Sequence, residues 1–251
     1  MTLTTLSLRA QQFVDSVLRL QPRAAAFDCD GTLWSGDAGE GFFRWEMEEG
    51  LVPKEVCDWG KARYADYKAG KVSEEVMCGE MVTMHRGLIE ADVQRAASRF
   101  FDLFMHERIF PEMRELVLKL NQEGCATWAV SSSNEWVIRA GMRHFDIPRT
   151  RILAAAVALD KNKITDELLR VPSGAGKPQA LREAAKKTPD AAFGNSRWDL
   201  EMLAMAKRPF AVNPNPDLAR VAAERGWTIY FPDGVETATE VHPPFEAAEP
   251  A

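Results

Sequence analysis

The sequence is short of several things, and each shortage removes a class of protein. It has only four cysteines, Cys29, Cys57, Cys78 and Cys125, in 251 residues, and no two form a C-x-x-C pair. A chain of this length needs no disulfide staples, so free thiols in a reducing cytoplasm are the expectation. Long hydrophobic runs are missing too. The longest nearly unbroken one, Ile152–Leu159, falls far short of the ~20 residues that span a bilayer. The first residues, MTLTTLSLRAQQF, lack a basic start followed by an apolar block, so no secretory signal is expected. There is no excess of positive charge: 31 Lys and Arg stand against 37 Asp and Glu, a net charge of −6. That removes any general pull toward nucleic acid or an anionic membrane, while leaving room for a local phosphate pocket. Internal repeats and low-complexity stretches are also lacking. What is present is ordinary for a core-forming chain, 46% hydrophobic and 27% charged, too apolar for disorder. The length suits one large domain, or a domain carrying a smaller insert.

Apolar spacing at Phe13, Val14, Val17, Leu18 and Leu20 predicts an amphipathic helix over 7–20. Ala24–Phe27 is a short apolar run ending in carboxylates and a glycine, which reads as a buried strand and its loop. Residues 36–105 are rich in helix formers and nearly free of strand signals. Pro53 can open a helix to about Ala69, with Gly70 behind it. Ser73 can cap another, with Glu74 and Glu75 in its first turn and Val72 stapled onto Met77. Val93, Ala97, Phe100, Phe101 and Phe104 share a helical face. This stretch is expected to form a small helical bundle. From Pro111 onward, helices over 111–122, from about 134, and over 178–187, 198–206 and 216–225 alternate with strands over 126–130, 152–157, 191–193, 210–212 and 227–231. That alternation predicts a parallel sheet covered on both faces. The tail after about Val235, with Pro243, Pro244 and Pro250, is expected to be loose.

In an open parallel sheet, ligands sit at the carboxyl ends of the strands, so the residues that follow each strand matter most. Asp28 and Asp30 follow the first, in D-C-D-G-T-L. Two carboxylates one residue apart repel, and neither is easily buried without a cation or a proton. Strand periodicity points both the same way and turns Cys29 aside. The pair suits a metal-dependent carboxylate nucleophile with a partner acid/base; a D-x-D-G turn that merely caps a helix reads the same way. Ser131 follows the second strand and is either a phosphoryl-oxygen holder or a helix cap. Lys177, in S-G-A-G-K-P, is either a site cation or a surface lysine. It is not in a nucleotide P-loop, since Val171 precedes Gly176 by five and Pro178 follows the lysine. Asn195 and Asp199, four apart after Gly194, can converge on a hard cation or simply cap a helix. Taken together, and in this order, these groups supply what phosphoryl transfer needs.

With these residues in place, the sequence resembles the haloacid dehalogenase superfamily of phosphohydrolases across about residues 24–231. The carriers are Asp28-Cys29-Asp30-Gly31-Thr32-Leu33, Ser131, Lys177 and Gly194-Asn195-Ser196 with Asp199. An insert of about 70 residues after the first motif, with A-V-S-S-S-N-E-W and A-V-N-P-N-P-D-L, is similar to the phosphoserine phosphatase-like subgroup. The resemblance implies an α/β, Rossmann-like core over 1–35 and 106–251, and an all-helical cap over 36–105. It implies that Asp28 attacks phosphorus, that Asp30 protonates the leaving oxygen and then activates water, and that Ser131 and Lys177 hold phosphoryl oxygens. It implies Mg2+ on Asp28, the Asp30 carbonyl, Asn195 and Asp199. Asn195 stands where many members have aspartate, which keeps an oxygen ligand but lowers the charge. Ser132 stands where phosphoserine phosphatases usually have glycine, which weakens the case for serine phosphate.

Substrate recognition is expected from the cap. Asp37, nine residues after Asp28, resembles the acidic position that phosphoserine phosphatases use for the substrate amine. Glu40, Arg63 and Ser132 are further candidates for the pocket wall. Trp34, Phe42, Phe43, Trp45 and Trp59 could frame a cation, although aromatics at helical spacing are more often core. His85, His106, His144 and His242 show no ligand spacing and read as structural or surface groups. Like charges beside Cys29 disfavour its thiolate, so it reads as core. The expected activity is phosphatase action on a small phosphomonoester. A phosphotransferase or mutase on the same scaffold is the alternative, and a non-enzymatic binding module would require a broken catalytic set.

Overall fold

The computed structural model describes residues 6–235. The loose tail expected after Val235, and His242 within it, lie outside the described residues. A sheet of seven strands occupies the centre in the order β4-β3-β2-β1-β5-β6-β7. The strands are β1 Ala24–Phe27, β2 Ala126–Asn134, β3 Ile152–Asp160, β4 Lys163–Arg170, β5 Ala191–Gly194, β6 Arg208–Val212 and β7 Thr228–Tyr230. All neighbouring pairs are parallel except β3 with β4. The described helices are α1 Leu8–Leu18, α2 Ala38–Glu48, α3 Lys54–Lys68, α4 Glu74–Thr83, α5 Glu90–Phe100, α6 Pro111–Gln122, α7 Glu135–Met142, α8 Gly176–Ala185, α9 Leu200–Met205 and α10 Pro216–Glu224.

Short apolar strands make the middle of the sheet. β1 and β5 are Ala-rich and buried, and Phe27 stacks on Phe193 with ring centroids 4.3 Å apart. Strand order reverses about β1, with β2 to one side and β5 to the other. Such a switch point opens a crevice beyond the strands' carboxyl ends.

Local signals set most helix ends. Ser7 caps α1 through the Ala10 N–H, and Ser73 caps α4 through the Val76 N–H. Pro111 opens α6, and Asn134 and Asn215 cap α7 and α10. Pro53 is the cap of α3 rather than its first helical residue. Leu20 is exposed, beyond the end of α1.

β4 is the element that the sequence reading leaves out. Only Ile164 is buried within K-I-T-D-E-L-L-R, so no apolar alternation marks it. Lys161 and Asn162 both have positive φ, the backbone of a two-residue hairpin turn that matches strand twist. The hairpin braces the helices that follow β1: the Gly87 N–H donates to the Ile164 carbonyl at 2.8 Å and the Glu90 N–H to the Asn162 carbonyl at 2.9 Å.

α2–α5 occupy the helix-rich stretch between β1 and α6. Around α3 and α4 there is a small core of its own, with Phe43, Met47, Tyr64, Val72 and Met77. α2 and α5 instead share the main core with α7, through Phe42, Phe100 and Trp136. These four helices are therefore anchored in the main core on one side and self-packed on the other. No described helix is long and apolar enough to cross a membrane.

Candidate active site

The loops after β1 and β5, the last part of β2 and the first turn of α8 deliver polar side chains to one cavity of about 510 Å³, lined by Asp28, Asp30, Ser131, Lys177 and Asn195 among others. Its size is that of a small-molecule site. At its centre the buried Lys177 ammonium donates to Asp28 Oδ1 at 2.7 Å and to Asp199 Oδ1 at 2.5 Å. Asp28, Lys177 and Asp199 are all nearly inaccessible to solvent. Lys177 sits in the first turn of α8, not ahead of the helix as the sequence suggested.

The remaining oxygens are held by the chain itself. Thr32 Oγ1 donates to Asp28 Oδ2 at 2.8 Å. Asp199 Oδ2 accepts from the Asn195 and Ser196 N–H groups at 3.0 and 2.9 Å. Ser196 and Asp199 form a capping box, so the capping and ligand readings of this segment hold together: one Asp199 oxygen caps while the other meets Lys177. Gly194 makes room for this, because a Cβ there would lie 2.5 Å from that of Asp199. Gly31 has φ +75°, and a Cβ on it would lie 1.9 Å from Asn195 Nδ2. Only glycine lets the first and last loops approach this closely.

Asp30 faces a different set of donors. Its Oδ1 accepts from Trp34 Nε1 at 2.8 Å and from the Ala38 N–H at 2.6 Å, and Ser133 Oγ donates to Oδ2 at 2.7 Å. With Oδ1 taken by two N–H groups, a proton on this carboxyl belongs on Oδ2, where the hydroxyl partner can rotate. Burial, and after it Asp37, pushes Asp30 up to about 8. Burial, and after it Asp199, also raises Asp28 against the pull of Lys177 and Thr32. Burial works against the charge on Lys177, but the two carboxylates outweigh it and the ammonium is held well above its ordinary range. Burial, then Asp28 and Asp30, pushes the Cys29 thiol up, which makes it an inert core group.

Of the expected wall residues, Asp37, Glu40 and Ser132 line the cavity. Asp37 also caps α2 through the Glu40 N–H. Arg63 does not line it; its guanidinium is turned to Glu80 at 2.6 and 2.8 Å. The aromatics follow the core reading of their helical spacing and frame no cation. Trp34, Phe42 and Phe43 are core, Trp45 packs against the core and Trp59 is exposed, while the rings that line the cavity are Tyr64, Tyr67 and Trp198. Several contributors went unread in the sequence: the Trp34 indole N–H and Ser133 on Asp30, Glu74 from α4, and Asn213, which donates to the Gly31 carbonyl at 3.1 Å. The S-S-S run in the last part of β2 and the asparagines after β6 were the available signals.

The oxygen donors fit a hard divalent cation. Asp28 and Asp199 already converge on one ammonium, and Asn195 lies beside them; hard oxygens of this kind suit Mg2+. Elsewhere, His85 is buried against Glu46 at 2.7 Å, and His106 stacks on His144. Among the described residues no group of three or more His, Cys, Asp and Glu could hold a metal ion, so any ion here would need the backbone and amide oxygens as well.

The sequence profile of haloacid dehalogenase-like hydrolases matches residues 25–204. A protein of Neisseria meningitidis named histidinol-phosphatase is 25% identical over 220 residues, 82% of this chain and 96% of its own. A structure of a Bordetella pertussis protein of unknown function superposes with a TM-score of 0.69 at 20% identity, covering 83% of this chain and 97% of that one. A phosphoserine phosphatase with bound substrate superposes with a TM-score of 0.54 at 18% identity, covering 83% and 92%. The chain belongs to the haloacid dehalogenase-like hydrolase family.

Proposed function

We propose that the protein hydrolyses a small phosphomonoester with Mg2+, through an aspartyl-phosphate on Asp28. It is a phosphoric monoester hydrolase, with residues 36–105 as a cap over a core of 1–35 and 106–251. One observation supports this most: the Lys177 ammonium joins Asp28 to Asp199 inside a cavity that Asp30 and Ser131 also line. The family and the relative named histidinol-phosphatase favour a small phosphate ester.

In this reading an Asp28 oxygen attacks phosphorus and the ester P–O bond breaks. The Asp30 Oδ2 proton passes to the leaving oxygen, which departs as the alcohol. Asp30, now a carboxylate, takes a proton from a water that attacks phosphorus; phosphate leaves and Asp28 is restored. Ser131 and Lys177 hold phosphoryl oxygens through the hydroxyl and the ammonium. Asp28, the Asp30 carbonyl, Asn195 and Asp199 would hold Mg2+, which when bound supplies charge neutralisation between nucleophile and phosphoryl group. The raised Asp30 suits a group that must carry a proton near neutral pH.

The test is phosphate release from a panel of small phosphomonoesters with Mg2+. Wild type releases phosphate, and Asp28→Asn, which keeps the shape and removes the nucleophile, does not. A phosphorylated acceptor in place of free phosphate would point to a transferase instead.

A further inference from the structure

The end of the cavity where chemistry occurs is fixed by Asp28, Lys177 and Asp199, whatever lines the rest. The wall supplied by α2–α4 decides which ester fits, and its charge is lopsided. Asp37 caps α2, Glu40 follows it, and Glu74 opens α4. Glu40 is already spent on Arg44, whose Nη2 lies 2.6 Å away. Of the cations, Lys68 acts on Asp37 and Lys177 on Glu74, in each case against a larger effect of burial. Glu74 is buried, accepts from Ser173 Oγ at 2.7 Å and also bonds the Ser132 hydroxyl.

Two neighbours register both carboxylates at once. Burial, then Glu74, pushes the Tyr67 hydroxyl up to about 12, with Asp37 adding to it. Burial, then Glu74 and Asp37, raises the Cys78 thiol as well. Both side chains line the cavity, so Asp37 and Glu74 act on the same patch of wall. Tyr67 adds an aromatic ring to the cavity lining, which suits an organic cation.

Cations on the wall are few. No arginine lines the cavity among the described residues, and the only lysine besides Lys177 is Lys68. Lys68 is exposed and lies over the Tyr64 ring at 5.6 Å. A substrate carboxylate would therefore find no guanidinium fork, the group best shaped to receive it, and would face two carboxylates instead.

We infer that the substrate is a phosphomonoester of a small alcohol that carries a cationic nitrogen and no carboxylate, with Asp37 and Glu74 receiving the nitrogen. This rests on the hydrolase reading of the same cavity, and it separates the substrate from a phosphorylated amino acid.

Three esters test it with Mg2+ present: ethanolamine phosphate, glycerol phosphate and O-phosphoserine. The expected order of kcat/KM is ethanolamine, then glycerol, then serine, with the first step about tenfold or more, the scale of one charge-assisted hydrogen bond. Asp37→Asn keeps the helix cap, and Glu74→Gln keeps an acceptor for Ser173. Each is expected to lower the ethanolamine-to-glycerol ratio by about tenfold, and Glu74→Gln to raise serine relative to ethanolamine. A purely structural role would move all three esters together. Wild type that turns over O-phosphoserine as well as ethanolamine phosphate, or ratios unmoved in both variants, overturns this inference alone. No phosphate from any ester overturns the hydrolase reading, and this inference with it.

Discussion

Lys177→Met isolates the electrostatics of the site from its chemistry. Methionine keeps an unbranched stem of similar length and removes the charge. In the native protein one ammonium satisfies two carboxylates, Asp28 at 2.7 Å and Asp199 at 2.5 Å. Removing one partner of a buried pair costs about 3–5 kcal/mol, because the other charge stays buried and uncompensated. Here two carboxylates are stranded where little water reaches them, which places the loss toward the upper end. For a protein of this size that corresponds to a fall in Tm of about 6–20 °C. The sign of the pH dependence follows from Asp28. Its folded-state value is already raised by burial, and Lys177 is among the groups holding it down, so the variant raises it further. The unfolded chain gives up that proton near pH 4. Between there and the raised folded value the folded state binds more protons, so stability falls as pH rises through this window and returns on acidification. Urea melts followed by circular dichroism, with a chelator present, should show a large loss at pH 8 and a smaller one at pH 5. A variant within about 1 kcal/mol of wild type at pH 8, below the cost of breaking a buried pair, would refute the argument, as would a loss that does not shrink in acid.

Asp30→Asn should lower kcat for an alkyl phosphate by about a hundred- to ten-thousandfold, the range of general acid catalysis. The loss should be smaller for p-nitrophenyl phosphate, whose leaving group needs no proton; steady-state kinetics on the two esters give the comparison. Mg2+ at a hundredfold above its Kd should stabilise the wild type by about 2–3 kcal/mol. Because the raised Asp28 holds a proton that competes with the cation, melting curves should show a larger Mg2+ effect at pH 8 than at pH 5.

The residues that gather at the candidate site were more legible in the sequence than those that support them. Asp28, Asp30, Ser131, Lys177, Asn195 and Asp199 were legible because each follows a short apolar strand or opens a helix, where the α/β architecture gathers ligand-binding groups. The cap at Ser73 was legible because it acts through a local bond with acidic residues behind it, whereas the caps at Ser7, Asn134 and Asn215, equally local, went unread. β4 was not, because an edge strand with one buried residue carries no periodic signal and only the turn at Lys161 and Asn162 betrays it. The wall was legible only in part. Asp37 and Glu40 sit close behind the first motif, whereas Glu74 and Tyr67 come from helices whose rotation depends on packing. Arg63 shows the same limit: its helix, α3, places it against Glu80 and away from the cavity.

The central claim is that an Asp28 oxygen forms a bond to phosphorus during turnover. Acid-quenching the enzyme in mid-turnover and mapping its peptides by mass spectrometry tests this most directly. The account predicts one phosphoryl group on the peptide that carries Asp28 in the wild type, and none in Asp28→Asn. Phosphate released by Asp28→Asn at the wild-type rate, with no modified peptide in either protein, would contradict it.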